Sequence, residues 1–388
     1  MRLDYSSLDL DHDQTPGGLF VCRRDSKMPT TLRRVLSASM KSFEPGFLEK
    51  QRIPQNLLRS IRLLGEYKGK EEVFKQQSPQ VLETLRQDAV IRSTESSNRI
   101  EGVVAPHDRI VKIVQKKVKP DNRSEQEIAG YRDVLNTIHA NHAHMKFSVN
   151  LILQMHRDLL KFTTERDGHW KTTQNEIEEI GPDGKKSIRF TPVAPHLTDD
   201  AMRSLHERFN RAIESQKFEP LLLIPAYVLD FLCIHPFRDG NGRMARLIAL
   251  LLLYQAGFKV GRYISLETII EDTRQSYYDT LYASSQKWHQ GKHSLVPWWE
   301  YFLGVMLLSA YREFEKRAGT LTTVRGAKTA MVLEAIERLP NGFRMIDVES
   351  AAPNVTRDMI RVVLNRLKKE KRVYCEGRGS AATWYKTR

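Results

Sequence analysis

Cysteine is scarce in this chain of 388 residues. Cys22, Cys233 and Cys375 are scattered, without the spacing of a metal-ligand set, so a reducing compartment is the default expectation. Cys233 falls inside an apolar run and reads as a small core residue. Long apolar runs are missing too. No stretch of about 18 apolar residues lacks charges or breaks, so no membrane span is expected. Residues 1–30 are polar and Asp-rich rather than basic then apolar, which argues against a signal peptide. The expected location is cytoplasmic. Acidic side chains are outnumbered: 47 Asp and Glu against 61 Lys and Arg leave a net charge of +14. That excess suits an acidic partner, whether nucleotide, nucleic acid or acidic protein, without choosing among them. The length allows two or three domains, and 40% hydrophobic with 28% charged residues fits a globular protein.

What is present centres on residues 235–246, His-Pro-Phe-Arg-Asp-Gly-Asn-Gly-Arg-Met-Ala-Arg, set between the apolar runs 221–234 and 247–253. Packing alone gives little reason for such a polar break. Pro236 biases His235 away from helical geometry, so the first helix is predicted to end near Ile234. Gly240 and Gly242 let a bound group approach the main chain. A second helix is predicted from about Arg243, its first N–H groups forming a backbone anion site suited to phosphate. Arg243 and Arg246, three apart, add two cations on one face. Asp239 offers the oxygen ligand that a phosphate-bound Mg²⁺ prefers. His235 is the side chain able to accept a proton near neutral pH. Together these describe a metal–nucleotide site with a base beside the phosphorus.

The stretch matches HPFx(D/E)GNGRxxR at every specified position and so resembles the signature of the Fic family. The resemblance implies a mostly α-helical fold, a Fic domain with a β-hairpin flap. It also implies Mg²⁺-dependent transfer of AMP from ATP to a Ser, Thr or Tyr hydroxyl of a target protein. Doc-like relatives, which act as kinases, carry Lys where this chain has Gly242, which favours adenylylation. In this scheme His235 is the catalytic base and Asp239 holds the metal. Gly240, Asn241, Gly242, Arg243 and Arg246 bind the nucleotide.

Upstream, Leu57, Leu58, Ile61, Leu63 and Leu64 predict a helix after Pro54. A second is predicted from about Pro79 to Ile100, with Val81, Leu82, Leu85, Ala89 and Ile91 as its apolar side. It ends in Ser-Asn-Arg-Ile-Glu-Gly (97–102), with Gly102 a good stop. Glu101 is misplaced there, because a carboxylate is disfavoured at the negative end of a helix. The segment resembles the inhibitory motif (S/T)xxxE(G/N) of Fic proteins, through Ser97 and Glu101. That resemblance implies that Glu101 pairs with Arg246 and holds the enzyme off. A rival enzyme reading has Glu101 align water, so that the protein removes AMP from its target.

Residues 108–165 read as helices. The segment 168–190, with the turn 181–184, suggests a short hairpin. It looks like the family's flap, which places Ile177 and Glu178 beside the nucleotide, although Glu178 stands where Gly is common. Residues 198–215 predict an amphipathic helix with Thr198-Asp199-Asp200 as its cap cluster. His196 and His206 lack partners for a metal and read as surface or capping residues. Tyr277 and Tyr278 resemble the family's YYxxL segment, as nucleotide-lining or equally as core residues. Ser284-Ser285 departs from the Asn found in many members. Trp288, Trp298, Trp299 and Phe302 are predicted to pack the closing helices.

After about Gly319 a linker is predicted, followed by three helices and a hairpin over 327–388 that resemble a winged helix-turn-helix. Thr356 is read as the cap of its third helix. This segment holds 13 Lys and Arg against 7 Asp and Glu. Arg357, Arg361 and Arg378 would meet the phosphates of a nucleic acid, or the module would serve protein contact or a homodimer. On the first of these, the chain is a nucleotide-sensing DNA-binding regulator. The expected segments are an arm at 1–45, a helical region with the inhibitory helix at 46–107, the Fic domain at 108–320 and the winged helix at 327–388.

Overall fold

The computed structural model describes residues 41–77, 79–164, 168–180, 186–323, 327–352, 355–377 and 382–387. Among them, no helix is long and apolar enough to cross a membrane.

The fold is mostly helical and is built around two helices buried on nearly every side. These are α7 (Pro220–Ile234) and α8 (Asn241–Gln255), labelled by their place in the chain. Aliphatic and aromatic residues fill α7 and the part of α8 beyond Arg246, so both must be covered nearly all round. The cover is supplied by α1 (Gln55–Gln77), α2 (Pro79–Ile100), α4 (Arg123–Asn141), α5 (Val149–Leu159) and α6 (Thr198–Ser215). The short α3 (His107–Val114) packs between α2 and α4. Two antiparallel strands, β1 (Ile177–Ile180) and β2 (Lys186–Phe190), form the predicted hairpin, with a bulge between Ile177 and Glu178. The turn 181–184 lies outside the described residues.

The far side is closed by α9 (Leu266–Asp272), α10 (Arg274–Ser285) and α11 (Val296–Trp299), then a π-helical stretch Glu300–Leu307 that runs into α12 (Leu308–Thr323). Trp288, Trp298, Trp299 and Phe302 are all buried there. The C-terminal segment has its own core, formed by α13 (Ala327–Arg338), α14 (Met345–Ala351) and α15 (Arg357–Lys369). An antiparallel sheet completes it, ordered β3 (Phe343–Arg344), β5 (Thr383–Lys386), β4 (Val373–Glu376).

Several expectations need correction. Helix α8 begins at Asn241, two residues early, because Gly240 takes the left-handed cap position and leaves Gly242 free to be helical. Leu58 is 45% exposed and does not join the apolar face of α1. His206 is neither a surface nor a capping residue: it is buried and hydrogen-bonds the Phe147 carbonyl at 2.9 Å. Thr198 does not cap α6, since Leu197 holds the cap position and Thr198 Oγ1 donates to the Ala194 carbonyl. Thr356 holds the cap position of α15 but makes no side-chain cap bond. Helix α12 continues to Thr323, past the expected linker start and the expected domain end at 320.

Within the arm expected at 1–45, the described residues begin at Lys41 and are folded. Residues 41–43 form a 3₁₀ turn with Ser42 and Phe43 buried, and Phe43 meets Phe209 edge to face at 5.9 Å. Ser42 reaches Asp230 in the middle of α7, donating from Oγ at 2.6 Å and from its N–H at 3.3 Å. Trp288 Nε1 donates to the same carboxylate at 2.6 Å, and Ser42 Oγ lies 2.9 Å from His293 Nε2. Burial raises the Asp230 carboxyl to about 6, against the opposing effect of these donors. Removing the carboxylate strands buried donors on two elements. Asp230→Ala is therefore expected to lower unfolding stability by about 2–4 kcal/mol, read from urea denaturation; an unchanged midpoint would refute this tie.

Candidate active site

The break between α7 and α8 is a tight loop fastened at almost every residue. His235 ends α7 in the left-handed region (φ 51°, ψ 62°), its N–H donating to the Phe231 carbonyl at 2.9 Å. Asn241 closes the loop from the other end. Its Oδ1 accepts from the Phe237 N–H at 2.9 Å and its Nδ2 donates to the Phe237 carbonyl at 2.8 Å. The Asn241 side chain therefore shapes the loop. Gly240 is required for conformation: φ is 78°, and a Cβ there would stand 3.2 Å from Leu159.

Residues that sequence reasoning missed pin the same loop. Asn175 Nδ2 donates to the Phe237 and His235 carbonyls at 3.0 and 3.3 Å. Lys171 Nζ donates to Asn175 Oδ1 at 2.7 Å and to the Ile234 carbonyl at 3.1 Å, and the Lys171 N–H donates to the Pro236 carbonyl at 2.8 Å. Burial lowers Lys171 to about 8. His156 stacks on Phe237, with ring centroids 3.6 Å apart, and its Nε2 lies 3.0 Å from the Asp239 carbonyl. A Lys and an Asn four apart in an otherwise polar loop were the available signal, but nothing local says that they point inward.

His235 Nδ1 faces the Leu232 carbonyl at 3.3 Å, which makes Nδ1 the protonated nitrogen and Nε2 the acceptor. Burial lowers the imidazole to about 4 despite that hydrogen bond, and the Lys171 charge pushes the same way. The ring is neutral at physiological pH, the form a general base needs.

Glu101 follows the end of α2 and reaches the first turn of α8. Arg246 Nη2 donates to Glu101 Oε1 at 2.8 Å and to the Ser97 carbonyl at 2.9 Å, and Arg246 Nε donates to Ser97 Oγ at 2.9 Å. Burial opposes the Arg246 charge, yet its pKa is held above the ordinary value, first by the Glu101 carboxylate. The Glu101 carboxylate lies against Gly242 so closely that a Cβ there would fall 2.1 Å from Oε1. The second half of α2 prepares this contact by burying polar residues, Ser93, Thr94, Ser96, Ser97 and Asn98, where a helix of ordinary packing would carry apolar ones.

Arg243 and Arg246, expected as paired phosphate ligands, have different partners. The Arg243 side chain is 1% exposed and its Nη1 donates to Glu127 Oε2 at 2.6 Å. It stands outside the lining of the cleft and supports the loop from below, with Nη2 3.7 Å from Asp239 Oδ2.

The cleft has a volume of about 430 Å³. One wall is the loop, with His235, Asp239, Gly240, Asn241 and Gly242; Arg246 and Glu101 close one end. The opposite wall comes from Tyr277, Tyr278, Leu281 and Tyr282 of α10, and the hairpin contributes Ile177, Arg189 and Phe190. Tyr277 is buried, so the tyrosine pair serves both the core and the cleft. Ser285 lines the cleft, whereas Ser284 Oγ accepts the Trp298 N–H. Two cations went unforeseen. Arg189 donates to the Tyr278 carbonyl at 2.8 Å and lies over the Tyr282 ring, 4.7 Å from its centroid. Arg274 donates to the Ile100 carbonyl at 3.1 Å, tying the end of α2 to the tyrosine wall. The Glu178 side chain and Arg378 lie outside what is described.

No group of three or more His, Cys, Asp or Glu that would enclose a metal occurs among the described residues. Asp239 alone fits Mg²⁺, which is held by one or two carboxylates together with substrate phosphates rather than by a protein cage. Its Oδ1 accepts the Gly240 N–H at 2.6 Å, and its side chain is 56% exposed at the loop.

Residues 146–253 match the Fic/DOC family. The protein adenylyltransferase fic-1 of Caenorhabditis elegans is 26% identical over 167 residues, 42% of this chain and 30% of that one. The protein adenylyltransferase Fic of Nematostella vectensis is 24% identical over 168 residues, 42% of this chain and 37% of that one. The match therefore spans about a third of these relatives' length. Among solved structures, a Fic family protein from Desulfovibrio desulfuricans superposes with a TM-score of 0.57 at 21% identity, covering 87% of this chain and 97% of that one. A fragment of C. elegans fic-1 gives a TM-score of 0.54 at 20% identity, covering 69% and 74%. At these identities the likeness is one of fold.

Proposed function

We propose that this chain, whose residues 146–253 match the Fic/DOC family, transfers AMP from ATP to a hydroxyl of a protein, and that Glu101 restrains the reaction. The observation that carries the reading is the ion pair of Glu101 with Arg246 in the cleft that also holds a neutral His235. In the proposed reaction His235 Nε2 takes the proton of the attacking hydroxyl as its oxygen bonds to the α-phosphorus. The bond from that phosphorus to the bridging oxygen breaks, and pyrophosphate leaves. Backbone N–H groups at the start of α8 face the charge gathering on the α-phosphate. Arg246, once released by Glu101, orients the terminal phosphates. Asp239 would hold the Mg²⁺ that neutralises phosphate charge. The tyrosine wall of α10 offers a face on which the base would stack.

ATP labelled at the α-phosphate, compared with ATP labelled at the γ-phosphate, tests this with the Glu101→Gly protein as its own acceptor. Label is expected to enter protein from the α-position only, and to be lost with EDTA. Incorporation from the γ-position would mean phosphoryl transfer and would overturn the adenylylation reading.

A further inference from the structure

A second cavity, of about 660 Å³, lies away from the cleft between α2, the end of α3 and α4. Its polar lining is Arg86 and Gln87 of α2, Gln115 at the end of α3, Asn136 and His139 of α4, and Arg262 of the turn that follows α8. These are two guanidinium groups, three amides and an imidazole; no carboxylate is among the lining residues. Val90, Ile91 and Val114 form an apolar side. The volume is that of a site for a small organic ligand.

The donors are incompletely used. Arg262 donates to the His139 carbonyl, but its buried Nε has no partner among the described residues. His139 is buried, with Nδ1 3.1 Å from the Tyr254 hydroxyl and Nε2 unpartnered. Arg86 meets Glu83 at 3.2 Å, but both side chains are about half exposed, and such a surface pair is weak enough to give way to a ligand. Burial lowers His139 to about 3, helped by the positive charges of Arg262 and Arg86, so the imidazole is neutral beside two cations. The positive charge of the cavity therefore comes from its arginines. The guanidinium fork matches phosphate oxygens, and the amides supply further donors.

We propose that this cavity binds a small phosphate-bearing molecule, with its phosphate on Arg262 and Arg86 and any apolar body against Val90, Ile91 and Val114. The site is separate from the catalytic reading, since none of its lining residues lines the cleft.

Equilibrium dialysis on the full chain tests this, with labelled ribose 5-phosphate, which lacks the base that the cleft would stack, and labelled inorganic phosphate as separate probes. Arg86→Glu reverses a half-exposed charge without disturbing the core. Arg262→Gln keeps a donor for the His139 carbonyl while removing the cation. Each is expected to weaken binding by about tenfold or more, the scale of one lost charge-assisted hydrogen bond. Tyr282→Ala, in the cleft, should leave this binding unchanged. Ribose 5-phosphate held more tightly than phosphate would identify a phosphomonoester as the ligand, and equal affinities the free anion. Binding by neither probe, or binding lost in Tyr282→Ala but kept in Arg86→Glu, would overturn the proposal.

Discussion

Replacing Glu101 by glycine is expected to raise self-labelling from α-labelled ATP by roughly tenfold to a hundredfold, the range of typical coupling energies. The argument rests on what Arg246 has to choose between. Its guanidinium is 3% exposed and already satisfied by one carboxylate oxygen, one hydroxyl and one carbonyl. A phosphate placed at the same nitrogen must displace Glu101, whose carboxylate also occupies the space above Gly242. Removing the side chain clears both obstacles. Glu101→Gln removes the charge but keeps most of the bulk, so it should give a smaller gain. Ser97→Ala removes a single hydrogen bond and should give only a few-fold change.

The same substitution carries a cost that provides a second, independent reading. Arg246 is left buried without its counter-charge, so Glu101→Gly should melt below the wild type in the absence of nucleotide. Saturating ATP with Mg²⁺ should then stabilise the variant more than the wild type, because a ligand stabilises by its affinity for the folded state. If labelling fails to rise and ATP stabilises both proteins equally, Glu101 is not a brake.

How much of this could be read from the sequence follows from how local each feature is. The loop from His235 to Arg246 was legible because its chemistry is contiguous. A proline, two glycines and a run of charged residues cannot sit between buried helices without a reason. Glu101 was legible because a carboxylate at a helix C-terminus contradicts the dipole. The supports of the loop were not legible. Lys171, Asn175, His156 and Glu127 act through contacts made across 60 or more residues of chain, and no spacing rule links them to His235 or Arg243. A spacing of three puts Arg243 and Arg246 on one side of a helix, which by itself implies one role for both. Their partners, Glu127 on α4 and Glu101 after α2, pull them apart. The early start of α8 has a similar origin: the predicted start near Arg243 leaves both glycines in the loop, but only Gly240 has positive φ. The docking of Ser42 on Asp230 was hidden because the segment before it has no periodicity.

His235 provides the other large effect. In the Glu101→Gly background, removing the imidazole should lower the transfer rate by about a hundredfold to ten-thousandfold, the usual contribution of a positioned general base. The choice of substitution matters, because His235 sits at φ 51°. Alanine tolerates that region poorly, whereas asparagine enters it readily. His235→Asn should therefore keep the loop, held as it is by Asn175, Asn241 and Lys171, and show nearly unchanged melting and ATP binding. The loss should fall on kcat rather than KM, as expected of a group that acts on the proton and not on the phosphates. The pH profile gives the sign. With its pKa lowered to about 4, His235 is already deprotonated through the range where a free histidine titrates, so the rate should stay level from pH 8 down through about 6.5. The loss should come only toward pH 4. A limb centred at the ordinary histidine value, absent from the His235→Asn background, would mean that the imidazole is exposed when the reaction occurs. Equal loss of binding and rate in His235→Asn would mean that the residue holds the loop rather than the proton.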